Sequence, residues 1–251
     1  MTVRIIFSIA CLLFLFTTSP VSATLHIAVA SNFNSTLKLL LGSYTTKYST
    51  KHDINIIVSS ASTGKLTTQI RYGAPYDIFL AADEQNPKLL IAEDLAFKQS
   101  AYVYAKGQLA FITKITSATS ALDALGSGHI KLLAIANYKT APYGKVAKSW
   151  LEDSGYSDSV LLITSENISQ TWQHFQQSGV EAGLVALPQI LLSNTNQSYW
   201  LLPETVNRRL TQVAVIIKST KNRLIAEHFM TFLKSKQAKE IIVKAGYKLD
   251  P

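Results

Sequence analysis

LHIAVASNFNSTLKLLLGSY, residues 25–44, joins a short apolar strand pattern directly to a helical one. Leu25–Ala30 is rich in β-forming residues, and an apolar face then recurs at spacings of three and four, at Leu37, Leu40, Leu41 and Tyr44. The polar residues Ser31 and Asn32 separate the two patterns. The stretch therefore predicts a strand that turns sharply into an amphipathic helix.

This strand–helix unit recurs along the rest of the chain. Further strands are predicted at residues 54–59, 76–81, 108–113, 131–136, 160–164, 182–187 and 213–218. Helices are predicted at residues 63–72, 83–93, 142–154, 167–178 and 224–245. Because strands that alternate with helices usually pair in parallel, with the helices covering the sheet, we predict an α/β fold.

The composition and charge exclude some classes of protein. Of the 251 residues, 47% are hydrophobic, which is enough for one large core or two modest ones. The formal net charge is +8, yet Lys and Arg are scattered and the longest basic run is Arg208-Arg209. Since a nucleic-acid-binding face clusters its charge, we expect no nucleic-acid partner and interpret the excess as a solvated basic surface.

Residues 1–23 have the three parts of a signal peptide. Arg4 gives a positive start, Ile5–Phe16 is a short apolar run, and Val21-Ser22-Ala23 is a small-residue cleavage site. These features predict cleavage after Ala23 and export to the periplasm. We expect the exported protein to be soluble, since no later segment is long and apolar enough to span a bilayer. The alternative is a lipoprotein acylated at Cys11, which the residues before that cysteine do not favour.

Polar residues suited to helix capping stand where four predicted strands meet helices. The junctions are Ala28–Asn34, Ser59–Leu66, Asn137–Gly144 and Thr164–Gln170. A helix start presents unpaired backbone N–H groups and the positive end of its dipole, so several starts together can hold an anion without a cationic side chain. A site of donors only suits a fully ionised dianion, which accepts but cannot donate. Ordinary helix capping explains the same residues, so the pattern leaves both interpretations open.

Motifs for catalysis are weak in this sequence. Asp77 and Asp83 flank a strand and suggest paired acid–base carboxylates, but caps at a strand end and a helix start are the simpler interpretation. Gly64-Lys65 lacks the glycine spacing of a phosphate loop, the histidines show no metal-ligand spacing, and a G-x-S-x-G elbow is absent from the sequence. We predict that the protein is not an enzyme and has no cofactor. The alternative of another class is an exported hydrolase that uses a serine from one of these loops.

Six motifs follow one another at or near these junctions. They are Ala28–Phe33, Ser62–Leu66 with Gln69-Ile70, Gly73–Asp83, Thr140–Gly144, Glu166–Trp172 and Gly183–Leu187. In this order they resemble the motifs of the periplasmic molybdate-binding proteins, which are the substrate-binding components of molybdate and tungstate ABC importers. The resemblance covers nearly the whole chain after the signal peptide.

The resemblance implies a two-lobe periplasmic-binding-protein fold, type II-like, with the ligand in the cleft between the lobes. Each lobe would be a mixed, mostly parallel sheet flanked by helices. We expect lobe 1 to comprise residues 24–105 and 211–251, and lobe 2 to comprise residues 106–210. The chain would cross between the lobes near Ala101–Lys106 and again near Asn207–Gln212.

The resemblance also implies a set of ligand-binding residues. They are Ser31 through its hydroxyl and N–H, Asn32, Thr63 through its hydroxyl, Ala141 or Tyr143 at the third junction, and Ile168 through its N–H. These residues would contact the oxygens of the oxyanion, and none would ligate the metal atom directly. Some family members have a ligand-binding tyrosine where this chain has Ala186, and we expect the phenol of Tyr143 to replace it.

By the same resemblance, the protein binds molybdate or tungstate and delivers it to the permease and ATPase of an ABC importer. We expect it to act as a monomer. Rigid donors spaced for this larger ion would discriminate against the smaller sulfate. A protein of the same fold that binds another oxyanion, such as sulfate, is the closest alternative. The pair Arg208-Arg209 replaces a more apolar stretch near the second crossing, where it would affect the hinge or the rim of the cleft.

Overall fold

The computed structural model describes residues 23–48, 54–177 and 179–250. The predicted signal peptide lies outside this range except for Ala23, which is the first residue of the first strand. Within the described residues, the strands form two separate five-stranded sheets.

The first sheet has the strand order β2-β1-β3-β10-β4. Strands β1 and β2 are parallel, as are β1 and β3, whereas β10 runs antiparallel to both β3 and β4. The bounds of its strands are β1 Ala23–Ala30, β2 Ile54–Ala61, β3 Ile78–Leu80, β4 Tyr102–Lys106 and β10 Thr211–Ile216.

The second sheet has the order β7-β6-β8-β5-β9 and repeats this mixture of directions. Strand β6 is parallel to β7 and β8, and β5 is antiparallel to β8 and β9. The bounds are β5 Leu109–Thr113, β6 Leu132–Ala136, β7 Leu161–Ser165, β8 Ala182–Ala186 and β9 Ser198–Leu201. The predicted α/β class with mixed sheets is thus confirmed.

Helices cover both faces of each sheet. Around the first sheet lie α1 Asn34–Tyr48, α2 Thr63–Arg71, α3 Gln85–Ala92, α9 Arg223–Leu233 and α10 Lys236–Lys244. Around the second lie α4 Ala121–Gly126, α5 Pro142–Asp153, α6 Ile168–Gln177, α7 Leu187–Ser193 and α8 Glu204–Asn207. Helices α2 and α5 are each followed by a glycine with a positive φ, 82° at Gly73 and 77° at Gly155, a conformation that glycine adopts at little cost.

Several short elements were not predicted from the sequence. The strands β4 and β9 and the helices α4, α7 and α8 are each four to seven residues long. Elements of that length carry too few apolar repeats to define a period, and helix α7 follows strand β8 without any intervening loop. Tertiary packing therefore determines them.

Each sheet has a core on both faces. On the first sheet, Leu25 and Ile27 pack with Phe229 of α9 on one face, while Phe79 packs with Leu66 and Leu90 of α2 and α3 on the other. On the second sheet, the larger cluster includes Phe111, Leu133 and Trp150, but also Ala30 and Ala82 from the first. The two halves of the molecule therefore share part of one core.

The chain passes from the first sheet to the second between Lys106 and Leu109, and it returns between Leu201 and Thr211. Gly107 lies in the first passage, where a Cβ atom would lie 2.1 Å from the hydroxyl of Tyr143 and 2.7 Å from Nε2 of Gln212. Only a residue without a side chain fits this close approach.

Gln212 in β10 joins both halves through a buried hydrogen-bond network. Its Oε1 accepts from Nδ2 of Asn32 at 3.0 Å and from the hydroxyl of Tyr104 at 2.9 Å. Its Nε2 donates to the hydroxyl of Tyr143 at 3.3 Å. Asn32 also donates to the hydroxyl of Tyr247 at 3.2 Å. Gln212 is fully buried, so its side-chain oxygen and nitrogen form hydrogen bonds with these residues and not with water.

We expect Gln212→Leu to lower the free energy of unfolding by about 3 kcal/mol, because each buried donor that loses its acceptor costs about 1–3 kcal/mol. Urea denaturation followed by circular dichroism would measure the change. The matched control is Gln173→Leu, on the exposed side of α6, which should stay within about 0.5 kcal/mol of the unaltered protein. Equal effects of the two substitutions would contradict the role of the network.

Candidate functional site

Four strand–helix junctions meet at one place between the two sheets. In the first sheet the parallel strands β1 and β2 end in register, with Ala30 beside Ala61. In the second sheet β6 and β7 end in register as well, with Ala136 beside Ser165. The carboxyl ends of parallel strands are the usual place for a ligand site in α/β folds. Each half of the molecule thus contributes two adjacent helix starts.

These junctions enclose a small cavity of about 10 Å³. All six residues that the sequence analysis proposed as ligand-binding line it, and Ala30, Ser62, Ala82 and Pro142 complete the wall. The cavity wall consists, within the described part of the chain, of uncharged residues. An anion placed here would therefore meet hydroxyl and backbone N–H donors.

Thr63 begins helix α2 and presents its hydroxyl at the cavity. Its Oγ1 accepts a hydrogen bond from the backbone N–H of Ala82 at 3.1 Å, and the residue is 1% exposed. Because the oxygen is already used as an acceptor, the hydroxyl proton can be donated to a ligand. The backbone N–H of Thr63 lies in the first turn of the helix, where N–H groups lack an intrahelical acceptor.

At the third junction the structure distinguishes between Ala141 and Tyr143. The N–H of Ala141 already donates to the carbonyl of Asn137 at 2.8 Å. Ala141 therefore contributes its methyl group to the cavity wall. Ala141 is the N-cap of α5 and Pro142 is the first helical residue, as the sequence predicted. The N–H of Tyr143 lies in the first turn, where N–H groups lack an intrahelical acceptor.

The phenol of Tyr143 takes part in the hydrogen-bond network where the chain crosses between the halves. Its oxygen accepts from Gln212 and lies next to Gly107, and neither of these residues lines the cavity. Burial raises the pKa of the Tyr143 hydroxyl well above its usual range, so the phenol stays neutral. The phenol oxygen is therefore an acceptor in the crossover network, and a donor role for its O–H toward a ligand stays a prediction.

Asn32 also takes part in this network through its side chain. Both hydrogens of its Nδ2 are directed to Gln212 and Tyr247, so the side-chain amide belongs to the network as well. Ser31 and Asn32 form a short 3₁₀ turn that ends at Phe33, and the N–H groups of such a turn lack intrahelical acceptors. This junction offers the hydroxyl of Ser31 together with backbone N–H groups.

Ile168 is the first residue of helix α6. The side chain of Asn167 caps the helix by accepting from the N–H groups of Ser169 at 3.0 Å and Gln170 at 3.2 Å. Asn167 does not accept from the N–H of Ile168, which lies in the first turn of a helix start that lines the cavity. The carbonyl of Ile168 accepts from Nε2 of Gln189 at 3.0 Å, which fixes the orientation of the helix start.

Contacts between the two halves hold the cavity closed. The N–H of Gly64 donates to the carbonyl of Thr140 at 2.8 Å, and the hydroxyl of Ser169 donates to the carbonyl of Ser31 at 3.0 Å. Lys65 forms an ion pair with Glu166, which holds the pKa of the Glu166 carboxyl below its usual range. Both side chains of this pair are about half exposed, so the pair contributes little to stability in salt.

A larger cavity of about 370 Å³ lies beside the first and shares Pro142 with it. Lys145, Arg208 and Arg209 line it, together with the carboxylates of Asp83 and Glu84. Nη1 of Arg209 donates to the hydroxyl of Ser149 at 3.0 Å. Asp83 accepts from the N–H of Asn86 at 3.0 Å, which is the helix-cap role that we preferred over acid–base chemistry, and burial raises its pKa.

A serine and a histidine lie close together outside the cavity. Nε2 of His26 is 3.0 Å from the hydroxyl of Ser59, on the neighbouring strand. The nearby carboxylate of Asp77 accepts from the backbone N–H of His26 at 2.7 Å and from the hydroxyl of Thr220. In a catalytic triad the carboxylate accepts from the imidazole ring and orients it, whereas Asp77 accepts from the backbone N–H of His26.

The chain resembles known proteins over most of its length. A family model described as bacterial extracellular solute-binding protein matches residues 25–248. The chain is 32% identical over 233 residues to the molybdate-binding protein ModA of Azotobacter vinelandii, with 91% of each chain covered. It is 31% identical over 222 residues to ModA of Rhodobacter capsulatus, covering 88% of this chain and 86% of that protein.

Solved structures of solute-binding proteins also match this chain over most of its length. The periplasmic molybdate-binding protein of Azotobacter vinelandii matches with a TM-score of 0.83 at 31% identity, covering 90% of this chain and 100% of the other. The sulfate-binding protein SubI of Mycobacterium tuberculosis matches with a TM-score of 0.71 at 11% identity, covering 91% of this chain and 88% of the other. The second likeness shows the fold alone.

The two sheets, the paired crossings and the enclosed site between them define a binding protein with two α/β halves. The chain belongs to the family of bacterial extracellular solute-binding proteins. Within residues 23–48, 54–177 and 179–250, none of the helices has the length and apolar character needed to cross a membrane.

Gly64 provides a test of the closed arrangement. A Cβ atom at this position would lie 2.9 Å from the carbonyl oxygen of Thr140, closer than real Cβ contacts. We expect Gly64→Ala to disfavour closure by about 1–3 kcal/mol, because overpacked contacts cost that much. Small-angle X-ray scattering should then give a larger radius of gyration than for the unaltered protein.

The matched control for this test is Gly42→Ala in helix α1, where a Cβ atom would meet nothing within 4 Å. Alanine favours helix more than glycine does, so this variant should scatter like the unaltered protein. A scattering profile of Gly64→Ala that coincides with the control would contradict the proposed contact between the halves.

Proposed function

We propose that the protein binds molybdate or tungstate in the cavity between its two halves and delivers the ion to an ABC importer. One observation carries the proposal: four helix starts, two from each half, direct neutral donors into a single enclosed cavity. The similarity to molybdate-binding proteins of 31–32% identity over most of the chain supports the choice of ion.

The binding residues that we propose remain Ser31, Asn32, Thr63, Ala141, Tyr143 and Ile168. The donors are the hydroxyls of Ser31 and Thr63, the phenol or N–H of Tyr143, and the N–H groups of Asn32 and Ile168. Ala141 contributes an apolar contact. A fully ionised oxyanion can accept all of these bonds, while a protonated one would bring a hydrogen that finds no acceptor. We expect no cofactor beyond the bound oxyanion, and no catalysis.

Closure explains how uncharged groups can bind a dianion. When the two halves meet, water leaves the site and each hydrogen bond strengthens in the lower dielectric. We propose that residues 24–105 with 211–251 move as one lobe and residues 106–210 as the other. The importer's permease would then recognise the closed form in preference to the open form. The protein would act as a periplasmic monomer after cleavage behind Ala23.

The neighbouring basic cavity fits this proposal. Three cationic side chains line this cavity together with the carboxylates of Asp83 and Glu84, so its remaining positive charge would modestly raise the local concentration of anions. The charges stand outside the binding site itself, so they can attract an anion without fixing it.

A panel of oxyanions would test the proposed ligand. We expect molybdate and tungstate to raise the melting temperature in a thermal-shift experiment, since a ligand at one hundred times its Kd adds about 2.7 kcal/mol of stability. Sulfate and phosphate should have little effect at the same concentration. A shift with sulfate alone would favour the sulfate-binding alternative. The absence of any shift would refute an oxyanion site and reopen the hydrolase alternative.

The hydroxyl of Thr63 can be tested separately. We expect Thr63→Val to weaken molybdate binding by about 1–3 kcal/mol, because a buried hydrogen bond to the ion is lost while the shape is kept. Thr63→Ser retains the hydroxyl and should bind nearly as well as the unaltered protein. Isothermal titration calorimetry would measure both affinities, and equal values for the two variants would argue against the hydroxyl contact.

A further inference from the structure

Ser62 occupies the N-cap position of helix α2 but does not act as a cap. Its backbone is extended, with φ −65° and ψ 147°, as an N-cap residue requires. A serine at this position normally accepts a hydrogen bond from an N–H group of the first helical turn. Here the side chain makes no such bond. Something other than capping must therefore account for the hydroxyl at this position.

The hydroxyl of Ser62 is also buried without any partner. The residue is 3% exposed, and its Oγ is one of three buried side-chain polar atoms without a hydrogen-bond partner in the described part of the chain. An unpaired buried hydroxyl carries a desolvation penalty, so its presence calls for a specific explanation. Of these three atoms, only Oγ of Ser62 belongs to a residue that lines the oxyanion cavity.

The groups around Ser62 already have partners. Oγ1 of Thr63 accepts from Ala82, the N–H of Gly64 donates to Thr140, and the carbonyl of Ser62 accepts from the N–H of Leu66 at 3.1 Å. The hydroxyl of Ser62 is thus a buried side-chain group at this helix start that has neither a donor nor an acceptor as partner. Ser62 lines the cavity in which, under the proposed function, the oxyanion binds. The oxygens of a fully ionised oxyanion can only accept hydrogen bonds.

We propose that the Ser62 hydroxyl is an additional donor to the bound oxyanion, and that it makes closure depend on the ligand. This inference rests on the proposed function. In an open form, water can solvate the hydroxyl; in a closed form without ligand, the hydroxyl is buried and unpaired. Bound oxyanion removes that penalty by accepting the hydrogen bond. The ligand therefore interacts differently with the two forms, which is the condition for shifting a population between them.

Ser62→Ala tests the proposal against a matched control, Ser165→Ala. Ser165 is also 3% exposed and also has a buried hydroxyl without a partner, but it does not line the cavity. Isothermal titration calorimetry with molybdate would compare the three proteins. We expect Ser62→Ala to raise the Kd about ten- to hundredfold, the range for a hydrogen bond to a charged group. Ser165→Ala should leave the Kd unchanged.

Unfolding without ligand separates a binding role from a structural one. Removal of an unpaired buried hydroxyl should leave the stability of ligand-free Ser62→Ala equal to that of the unaltered protein or raise it. An unchanged Kd for Ser62→Ala would overturn the inference while leaving the proposed function intact, as would an equal loss of affinity in Ser165→Ala. Failure of the unaltered protein to bind molybdate or tungstate would instead overturn the proposed function itself.

Discussion

The buried side chain of Gln212 fixes the relation between the two halves on which the site depends. Its oxygen accepts from Asn32 and Tyr104, and its nitrogen donates to Tyr143 at the start of α5. Because a buried amide cannot leave such partners without a cost of about 1–3 kcal/mol for each lost bond, the network favours the arrangement in which two helix starts from different sheets lie close together. Gly107 makes room for it where the chain crosses.

This arrangement divides the polar side chains near the site into two groups. Asn32, Tyr104, Tyr143 and Gln212 satisfy one another, and their rigidity positions the backbone around the cavity. The hydroxyls of Ser31, Ser62 and Thr63 lie at the cavity wall and are left for a ligand. A neutral site of this kind gains its strength from exclusion of water and from the number of fixed donors, while positive charge is kept to the neighbouring cavity and the surface.

The comparison of prediction with structure is most instructive at Tyr143. The sequence proposed a ligand role for the phenol of this residue, and in the structure Tyr143 lines the cavity while its phenol oxygen accepts from Gln212. The sequence did not single out Ser62, because it lies in the hydroxyl-rich run Ser59–Thr63 and nothing local distinguishes it from its neighbours. For Tyr143 the residue type was informative, whereas the surroundings of its phenol depended on Gln212 and Gly107, which are far away in sequence.

The sequence by itself determined the alternation of strands and helices, the polar junctions at strand ends and the absence of clustered charge. These features follow from local periodicity and from the preference of Ser, Thr and Asn for helix starts. Only the tertiary structure decided that the four junctions line one cavity, because two of them follow paired strands of the first sheet and two follow paired strands of the second. The tertiary structure also decided which donors remain unpaired. Hydrogen-bond partners can be up to 215 residues apart in the sequence, as Asn32 and Tyr247 are.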